Sequence, residues 1–429
     1  MTRADLQTTL QRARYRVIGL LVLLFAVTYL DRVCISVAGP RMQSDLHIDP
    51  IGWGWVTGMF TLSYCLFELP TGAMGDRIGP RRILTRIVLW WSVFTALTGV
   101  VTSYPSLLVT RFLFGAGEAG AFPNAGVVVS RWFPPSQRGT LSGINLMAGQ
   151  IGGALSPLLV VPIQMHWGWR ASFFVFGSLG VLWATTWYLW FRDSPTEKLA
   201  TTAASEAEAV DQRRSSHVFP LRVALQSRSV LALLVIGFCY VYVYNFFQTW
   251  FHTFLVKGRG FTEGALFLSA LPYVVGACSN ILGGAVSDAL VTRLGRRNGR
   301  RIIGVSALTT AAVFIIAAAT TRQEILTVVL LGVAYGAITF QQSVAFAVCL
   351  DLGHERAGAM VGLFNTVCQV GGLVGAVAYG YIVEAFASYD APFSPMAAIL
   401  FLGAGLWWMI DASQALAPRS FQAPSPVSA

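Results

Sequence analysis

Gly72-Ala-Met-Gly-Asp76-Arg77-Ile-Gly79-Pro-Arg81-Arg82 stands between two apolar runs, and an abbreviated copy, Gly284-Ala-Val-Ser-Asp288 followed by Gly295-Arg296-Arg297, returns in the second half of the chain. Each copy ends an apolar run with an acid, turns on a glycine and resumes behind paired arginines. Further along, Arg138 with Gln150-Ile-Gly-Gly is echoed at nearly the same offset by Arg356 with Gln369-Val-Gly-Gly. Matching offsets mark a duplicated chain. The second half is therefore expected to fold like the first, with a ligand site where the copies meet.

Composition says what kind of chain was duplicated. Of 429 residues, 55% are hydrophobic and 12% charged, where soluble domains carry about 25% charged residues. Mean hydropathy is +0.61. This is an all-α integral membrane protein, because a backbone in lipid must satisfy its own hydrogen bonds. With about 20 apolar residues needed per crossing, twelve spans are expected near 17–38, 52–72, 83–103, 106–129, 139–163, 171–191, 229–256, 263–287, 302–321, 324–350, 357–384 and 396–416. Residues 1–191 then form one six-helix bundle and 229–416 a second. The polar stretch 192–228, with Arg213-Arg214, links them, and 417–429 is a tail. The first span could be mistaken for a signal peptide, but its length, its Asp31-Arg32 pair and the lack of a small-residue cleavage site keep it in the mature protein.

The net charge of +10 is gathered on one side. Arg3, Arg12, Arg14 and Arg16 precede the first span, Arg77, Arg81 and Arg82 follow the second, and Arg293, Arg296, Arg297, Arg300 and Arg301 follow the eighth. The opposite loops hold fewer: Arg41, Arg170, Lys257, Arg259 and Arg322. The positive-inside rule places both termini in the cytoplasm, and the protein is expected in the cell's inner (cytoplasmic) membrane. Nucleic-acid binding is excluded, since no basic patch is interleaved with exposed aromatics. The six cysteines all fall in spans without metal-ligand spacing, so no metal site is expected.

Asp31 and Arg32 lie inside the first apolar run, Arg111 and Glu118 inside the fourth. A charge at the bilayer centre costs about 2.5–3.5 kcal/mol on insertion scales, so these four must face a partner or a wet cavity. They point to a path for an anion and for protons. Arg111 and Glu118 share a helix face about 10 Å apart, so an anion on Arg111 would be sensed by Glu118 through its field. Such an acid is pulled two ways: burial favours its neutral form, a guanidinium its charged form. Asp31 and Arg32 point about 100° apart, so one can face the cavity and the other a packed helix. The alternative is that these charges are structural ion pairs.

The motif Gly72 to Arg82 resembles the signature loop of the major facilitator superfamily. Tyr29-Leu-Asp31-Arg32, Arg111-Phe-Leu-Phe-Gly115-Ala-Gly117-Glu118-Ala-Gly-Ala-Phe-Pro123 and Arg131-Trp-Phe-Pro-Pro-Ser-Gln137-Arg138-Gly139 resemble its anion:cation symporter branch, which includes galactonate, hexuronate, glucarate, sialic-acid and vesicular glutamate transporters. The resemblance implies a fold of two pseudo-symmetric six-helix bundles and an alternating-access symporter. It also implies anion binding by Arg32 and Arg111, proton coupling by Asp31 and Glu118, and cavity roles for Tyr64, Gln150, Gln248, Ser343 and Asn365. Gly72, Asp76, Arg77, Gly79, Arg81 and Arg82 would form a conformational latch, with Glu68 close enough to join it. The pattern is broken at Cys34, where the family has Asn, at His252-Thr253 in span seven and at Gln137.

The second half holds neutral polar groups in mid-span: Asn245, Gln248, Thr249, Gln341-Gln342-Ser343, Asn365 and Gln369. Charge recognition then belongs to the first half and hydroxyl or amide recognition to the second, a division that suits a sugar acid. Gly115-x-Gly117-x-x-Gly120 fits a dinucleotide fingerprint, but no strand precedes it, and close helix packing explains it better. No catalytic constellation is present, so neither an enzyme nor a cofactor is expected; protons are the coupling ion and the lipid-embedded protein is expected to be a monomer. Proton-coupled import of an organic anion (aldonate, hexuronate or aldarate) is the leading expectation. An uncoupled or exchanging carrier is the alternative, and a membrane sensor, expected to carry a longer output domain than this linker or tail, comes third.

Overall fold

The computed structural model describes residues 3–193, 221–353 and 357–413. Arg213, Arg214, Arg356 and the tail lie outside the described residues. In the first half, α1 spans Arg3–Asp45, α2 Pro50–Ile78, α3 Pro80–Thr98, α4 Tyr104–Glu118, α5 Ala121–Trp132, α6 Pro135–Trp167 and α7 Trp169–Trp190. In the second half, α8 is Leu221–Gln226, α9 Arg228–Thr249 and α10 Phe251–Thr253, continued by a π turn (Phe254–Gly258) and a 3-10 segment (Glu263–Ala270). Then come α11 (Leu271–Thr320), α12 (Glu324–Gly353), α13 (Ala357–Phe386) and α14 (Phe393–Leu406). The short helix α8 falls inside the stretch read as polar linker. Its Leu-Arg-Val-Ala-Leu-Gln sequence buries Ala224, which gives that end of the linker something to pack with.

Eight described helical stretches meet a length-and-hydropathy criterion for crossing a membrane. They account for nine passes, because one of them, Ala265–Thr320, turns back on itself. Within it Gly295 adopts φ 77°, ψ 163°, and beyond that turn Arg300 bonds the Ser287 hydroxyl and lies 3.5 Å from Asp288. A straight helix would hold residues that far apart in sequence about 18 Å apart. Adding α2, α3 and α14 completes twelve passes.

Gly79, at φ 93° and ψ 141°, makes the same turn between α2 and α3, so the duplicated motif becomes a duplicated corner. Beside the first corner the Arg81 backbone N–H donates to Asp193 at 2.7 Å, and the Arg81 guanidinium donates to the Tyr188 carbonyl at 2.6 and 2.9 Å. Beside the second, Arg297 lies 3.6 Å from Asp411 and Arg301 donates to the Ile410 carbonyl at 2.6 Å. Each corner is thus tied to the end of its own half's last span. Arg82 is exposed, Gly72 packs on Pro123, and the side chains of Asp76 and Arg77 lie outside the described residues.

In the first half α1 packs on α6, α3 on α7 and α2 on α4; in the second, α9 packs on α13, and α11 on α12 and α14. The halves meet through α2 against α13 and α6 against α11. At the end away from the linker they share one core, in which Met42 and Trp53 cluster with Phe247, Phe251 and Phe254. At the linker end the first half keeps its own core, built around Leu84, Trp91, Phe114 and Trp187. The two bundles are fused at one end and separate at the other.

Three bonds between described residues that cross between halves at the fused end are neutral or involve a single charge. Ser36 Oγ meets His252 Nδ1 at 2.9 Å, Gln43 Nε2 donates to Thr253 Oγ1 at 2.9 Å, and Lys257 Nζ donates to Gln43 Oε1 at 3.0 Å. Two ion pairs at that end lie within a half: Arg170 with Asp45 at 2.6 Å, and Arg259 with Asp390 at 2.7 Å. His252 is fully buried and also meets Ser269 Oγ at 2.7 Å. The histidine that breaks the family pattern is part of this closure.

A β-carbon at Gly295 meets nothing within 4 Å, so Gly295→Ala tests the turn's backbone conformation alone. That region of φ/ψ is nearly closed to other residues and costs about 1–3 kcal/mol. The variant is expected to melt earlier in detergent than the parent. Gly284→Ala, also in open space but without a positive φ, is expected to leave melting unchanged or raise it slightly.

Candidate functional site

A cavity of about 860 Å³ lies between the halves. Its wall runs from Ile35 and Thr57 at the fused end to Gly72, Ser142, Leu350 and Val361 toward the linker. Leu350, near that mouth, is 55% exposed, so the cavity opens on the linker side.

Local backbone explains how the first half presents its charges. Helix α4 starts in a capping box at Ser103 and ends at Glu118. Ala119 leaves helical geometry at φ −53°, ψ 135°, and Gly120 turns left-handed at φ 90°, ψ −5°, before α5 resumes. Asn124 braces the break by donating to the Gly120 carbonyl at 2.7 Å and the Thr71 carbonyl at 3.1 Å. Gly115 and Gly117 let α4 press against Phe60, Ser63 and Trp90. The glycine run is therefore packing plus a break in the span, placed directly after its buried acid.

Glu118 and Arg32 form an ion pair, Nε to Oε1, at 2.5 Å. The direct partner of Glu118 is thus Arg32, brought by α1, while Arg111, two turns back along α4, acts on Glu118 through its field without touching it, as expected. The Arg32 guanidinium sits among aromatic rings, 4.8 Å from the centre of Tyr64, 5.2 Å from Phe60, 5.5 Å from Tyr29 and 5.6 Å from Phe122. Arg111 lies 4.4 Å from Phe114 and 5.3 Å from Phe60. Phe60 separates two cations whose charge the ring faces partly offset. Arg111 Nε and Arg32 Nη2 are buried with no hydrogen-bond partner among the described residues. Two guanidinium groups with spare donors on one wall fit an anionic ligand.

Asp31 is off the wall. It is 2% exposed, neither carboxylate oxygen has a hydrogen-bond partner among the described residues, and its charged neighbours are Glu118 and Arg111. Adjacent helical residues do face differently here, Arg32 to the cavity and Asp31 into packing.

On the second half's wall stand Asn245, Gln248, Gln342, Asn365 and Gln369. Gln248 Nε2 donates to the Tyr335 hydroxyl at 3.3 Å, which itself donates to Gln150 Oε1 at 2.9 Å. Gln150 is buried off the wall as one end of this bridge between halves, which corrects its expected cavity position. Ser343 is corrected too: its hydroxyl donates to the Asn280 carbonyl at 2.9 Å and to Oδ1 at 2.8 Å, clamping α12 to α11. Its neighbour Gln342 faces the cavity instead, as the 100° step per residue allows.

Glu68 is also on the wall, and its expected place in the latch is corrected. Both its oxygens accept from Asn365 Nδ2 at 2.8 Å. Glu68 follows Tyr64 by one helical turn, the spacing that shares a face; that signal was present in the sequence. Among the described residues, no group of three or more His, Cys, Asp or Glu is placed to hold a metal ion.

Residues 21–376 match the Major Facilitator Superfamily model. The chain is 32% identical over 399 residues to the probable sulfoacetate transporter of Cupriavidus necator, covering 92% of this chain and 93% of that one. It is 28% identical over 382 residues to the hexuronate transporter of Bacillus subtilis, covering 88% and 90%. It is 29% identical over 411 residues to the probable galactarate/D-glucarate transporter of that organism, covering 91% and 89%. In fold it is similar to a bacterial homolog of the human lysosomal transporter Spinster in an inward-facing, unoccupied conformation, with a TM-score of 0.75 at 20% identity and coverage of 94% and 97%. With a family model laid over most of the chain and duplicated halves that enclose a cavity between them, this protein belongs to the Major Facilitator Superfamily of membrane transporters.

Proposed function

We propose that this transporter is a proton-coupled symporter that imports a sugar acid or related organic anion by alternating access. The observation that carries the reading is the Arg32–Glu118 pair at the cavity wall. In the empty carrier Glu118 occupies Arg32. An arriving carboxylate or sulfonate competes for Arg32 and meets Arg111 beside it. Glu118, released into a buried site without its counter-charge, then favours the neutral acid and takes up a proton. The loaded centre carries the same net charge as the empty one, because anion and proton arrive together, so loading adds no charge penalty to passage through the occluded state. On the other side the proton leaves, Glu118 recaptures Arg32 and the anion is expelled.

The relatives named for sulfoacetate, hexuronate and galactarate or glucarate support an acidic cargo, and the amide-rich wall of the second half supports a hydroxylated one. Arginine-rich loops put the linker and both termini in the cytoplasm of a cell whose inner membrane holds the protein. The cavity, open toward the linker, is then in its inward-facing state. The reading needs no cofactor besides protons and treats one chain as the working unit.

Reconstituted vesicles with an imposed pH gradient test the proposal. Glu118→Gln is expected to abolish uphill uptake while keeping exchange of labelled for unlabelled substrate, because a permanently neutral side chain mimics the protonated carrier. Uphill accumulation that survives the change would remove Glu118 as an obligatory coupling site and favour an exchanging carrier.

Arg111→Lys keeps the charge but loses the planar fork. One charge-assisted hydrogen bond is worth about 1.5–3 kcal/mol, so affinity measured by calorimetry is expected to fall about 10- to 100-fold. Unchanged binding would make Arg111 a packing residue and leave Arg32 to hold the anion.

Asp31 supplies a second acid. A monoanion with one proton gains only the pH gradient, about 1.4 kcal/mol per unit, whereas with two protons it also gains about 2.3 kcal/mol per 100 mV of potential. Inside-negative potential is therefore expected to stimulate uptake of a monoanion at equal pH, and Asp31→Asn to remove that stimulation. Indifference of the parent to a potassium-valinomycin potential would confine coupling to Glu118.

A further inference from the structure

We propose that Glu68 sets the charge of the cargo, selecting acids that carry one negative group and a hydrogen-bond donor at the other end over acids charged at both ends. The inference rests on the organic-anion reading above. Among the described residues, the acidic and basic side chains on the cavity wall are Arg32, Arg111 and Glu68, for a formal sum of one positive charge. Glu118 and Asp31 do not line the cavity, and in the two-proton cycle proposed above both are neutral acids while cargo is bound, so neither enters the sum. A monoanion balances the wall. A dianion leaves one negative charge uncompensated in a site closed to water during transport, which is costly.

Position strengthens the count. Helices α2 and α4 both run from the fused end toward the linker end, with Arg111 midway along α4 and Glu68 about two thirds of the way along α2. A cargo whose acid group is held at Arg111 and Arg32 therefore extends its far end toward Glu68. The two bonds from Asn365 occupy part of what a carboxylate can accept, which is about four lone pairs. The remainder can receive a hydroxyl or ammonium donor. A second carboxylate or sulfonate in that place meets like charge and finds no donor from Glu68.

Matched pairs of acids test this on the purified full chain in nanodiscs, by calorimetry and by shift of melting temperature: gluconate against glucarate, galactonate against galactarate, and isethionate against sulfoacetate. The parent is expected to bind the singly charged member of its preferred pair about tenfold more tightly. Glu68→Gln raises the wall to two positive charges and is expected to abolish or reverse that preference. Glu68→Asp, which keeps the charge, is expected to retain it. A parent that binds the doubly charged member as well or better overturns the proposal without need of any variant. So does a folded Gln variant with an unchanged ratio. If no acid of either kind binds the parent, the organic-anion reading itself falls, an outcome separate from a failure of charge selection.

Discussion

Two guanidinium groups held in the middle of an apolar protein constrain everything around them. Neither can be left without compensation in a low-dielectric interior, and the surrounding architecture supplies it: Glu118 at 2.5 Å from Arg32, and rings of Tyr29, Phe60, Tyr64, Phe114 and Phe122 around the two cations. Bringing Glu118 there requires α4 to stop directly after it, and the left-handed Gly120 and the Asn124 brace make that stop possible. Compensation is nonetheless partial, since buried donors on both arginines keep no partner among the described residues. On the proposed reading, an anion would complete the set. Binding and structure are thus two uses of one electrostatic deficit.

The division between halves follows from the same constraint. The first half carries the fixed charge, so its helices are held by aromatic packing and an ion pair. The second lines the cavity with amides and hydroxyls, which add no large charge penalty. Where polar groups are not on the wall they fasten helices or halves, as Ser343 fastens α12 to Asn280 and the Tyr335 hydroxyl joins Gln150 to Gln248. A polar side chain inside a span does one of these jobs, and only its direction from the helix axis says which.

That direction is where legibility in the sequence ends. The spans, the duplication and the corners at Gly79 and Gly295 are written in hydropathy and in a repeated motif. Arg32, Arg111 and Glu118 announce themselves because a charge in a span is rare and costly. Which arginine Glu118 would choose was not written, since α1 and α4 meet only in the folded chain and the sequence places Arg111, not Arg32, on the helix of Glu118. Gln342 rather than Ser343 reaches the cavity through a single 100° step, smaller than the uncertainty in a span's rotation. Glu68 was assigned to the loop it precedes, although its four-residue spacing from Tyr64 already put it on the cavity face. The break after Glu118 was seen only as a glycine run, because small residues read the same whether they pack or turn.

The closure at the fused end has a consequence for the environments the carrier can work in. Among the contacts between described residues that part when the halves rock there are neutral ones, Ser36 with His252 and Gln43 with Thr253, and one lysine on an amide. The ion pairs nearby, Arg170 with Asp45 and Arg259 with Asp390, each ride within a single half and are not broken by the motion. Contacts between neutral groups are little affected by dissolved ions, whereas exposed charge pairs weaken as salt rises. These named contacts therefore respond little to the salinity outside, since each neutral group can exchange its partner for water when the halves part.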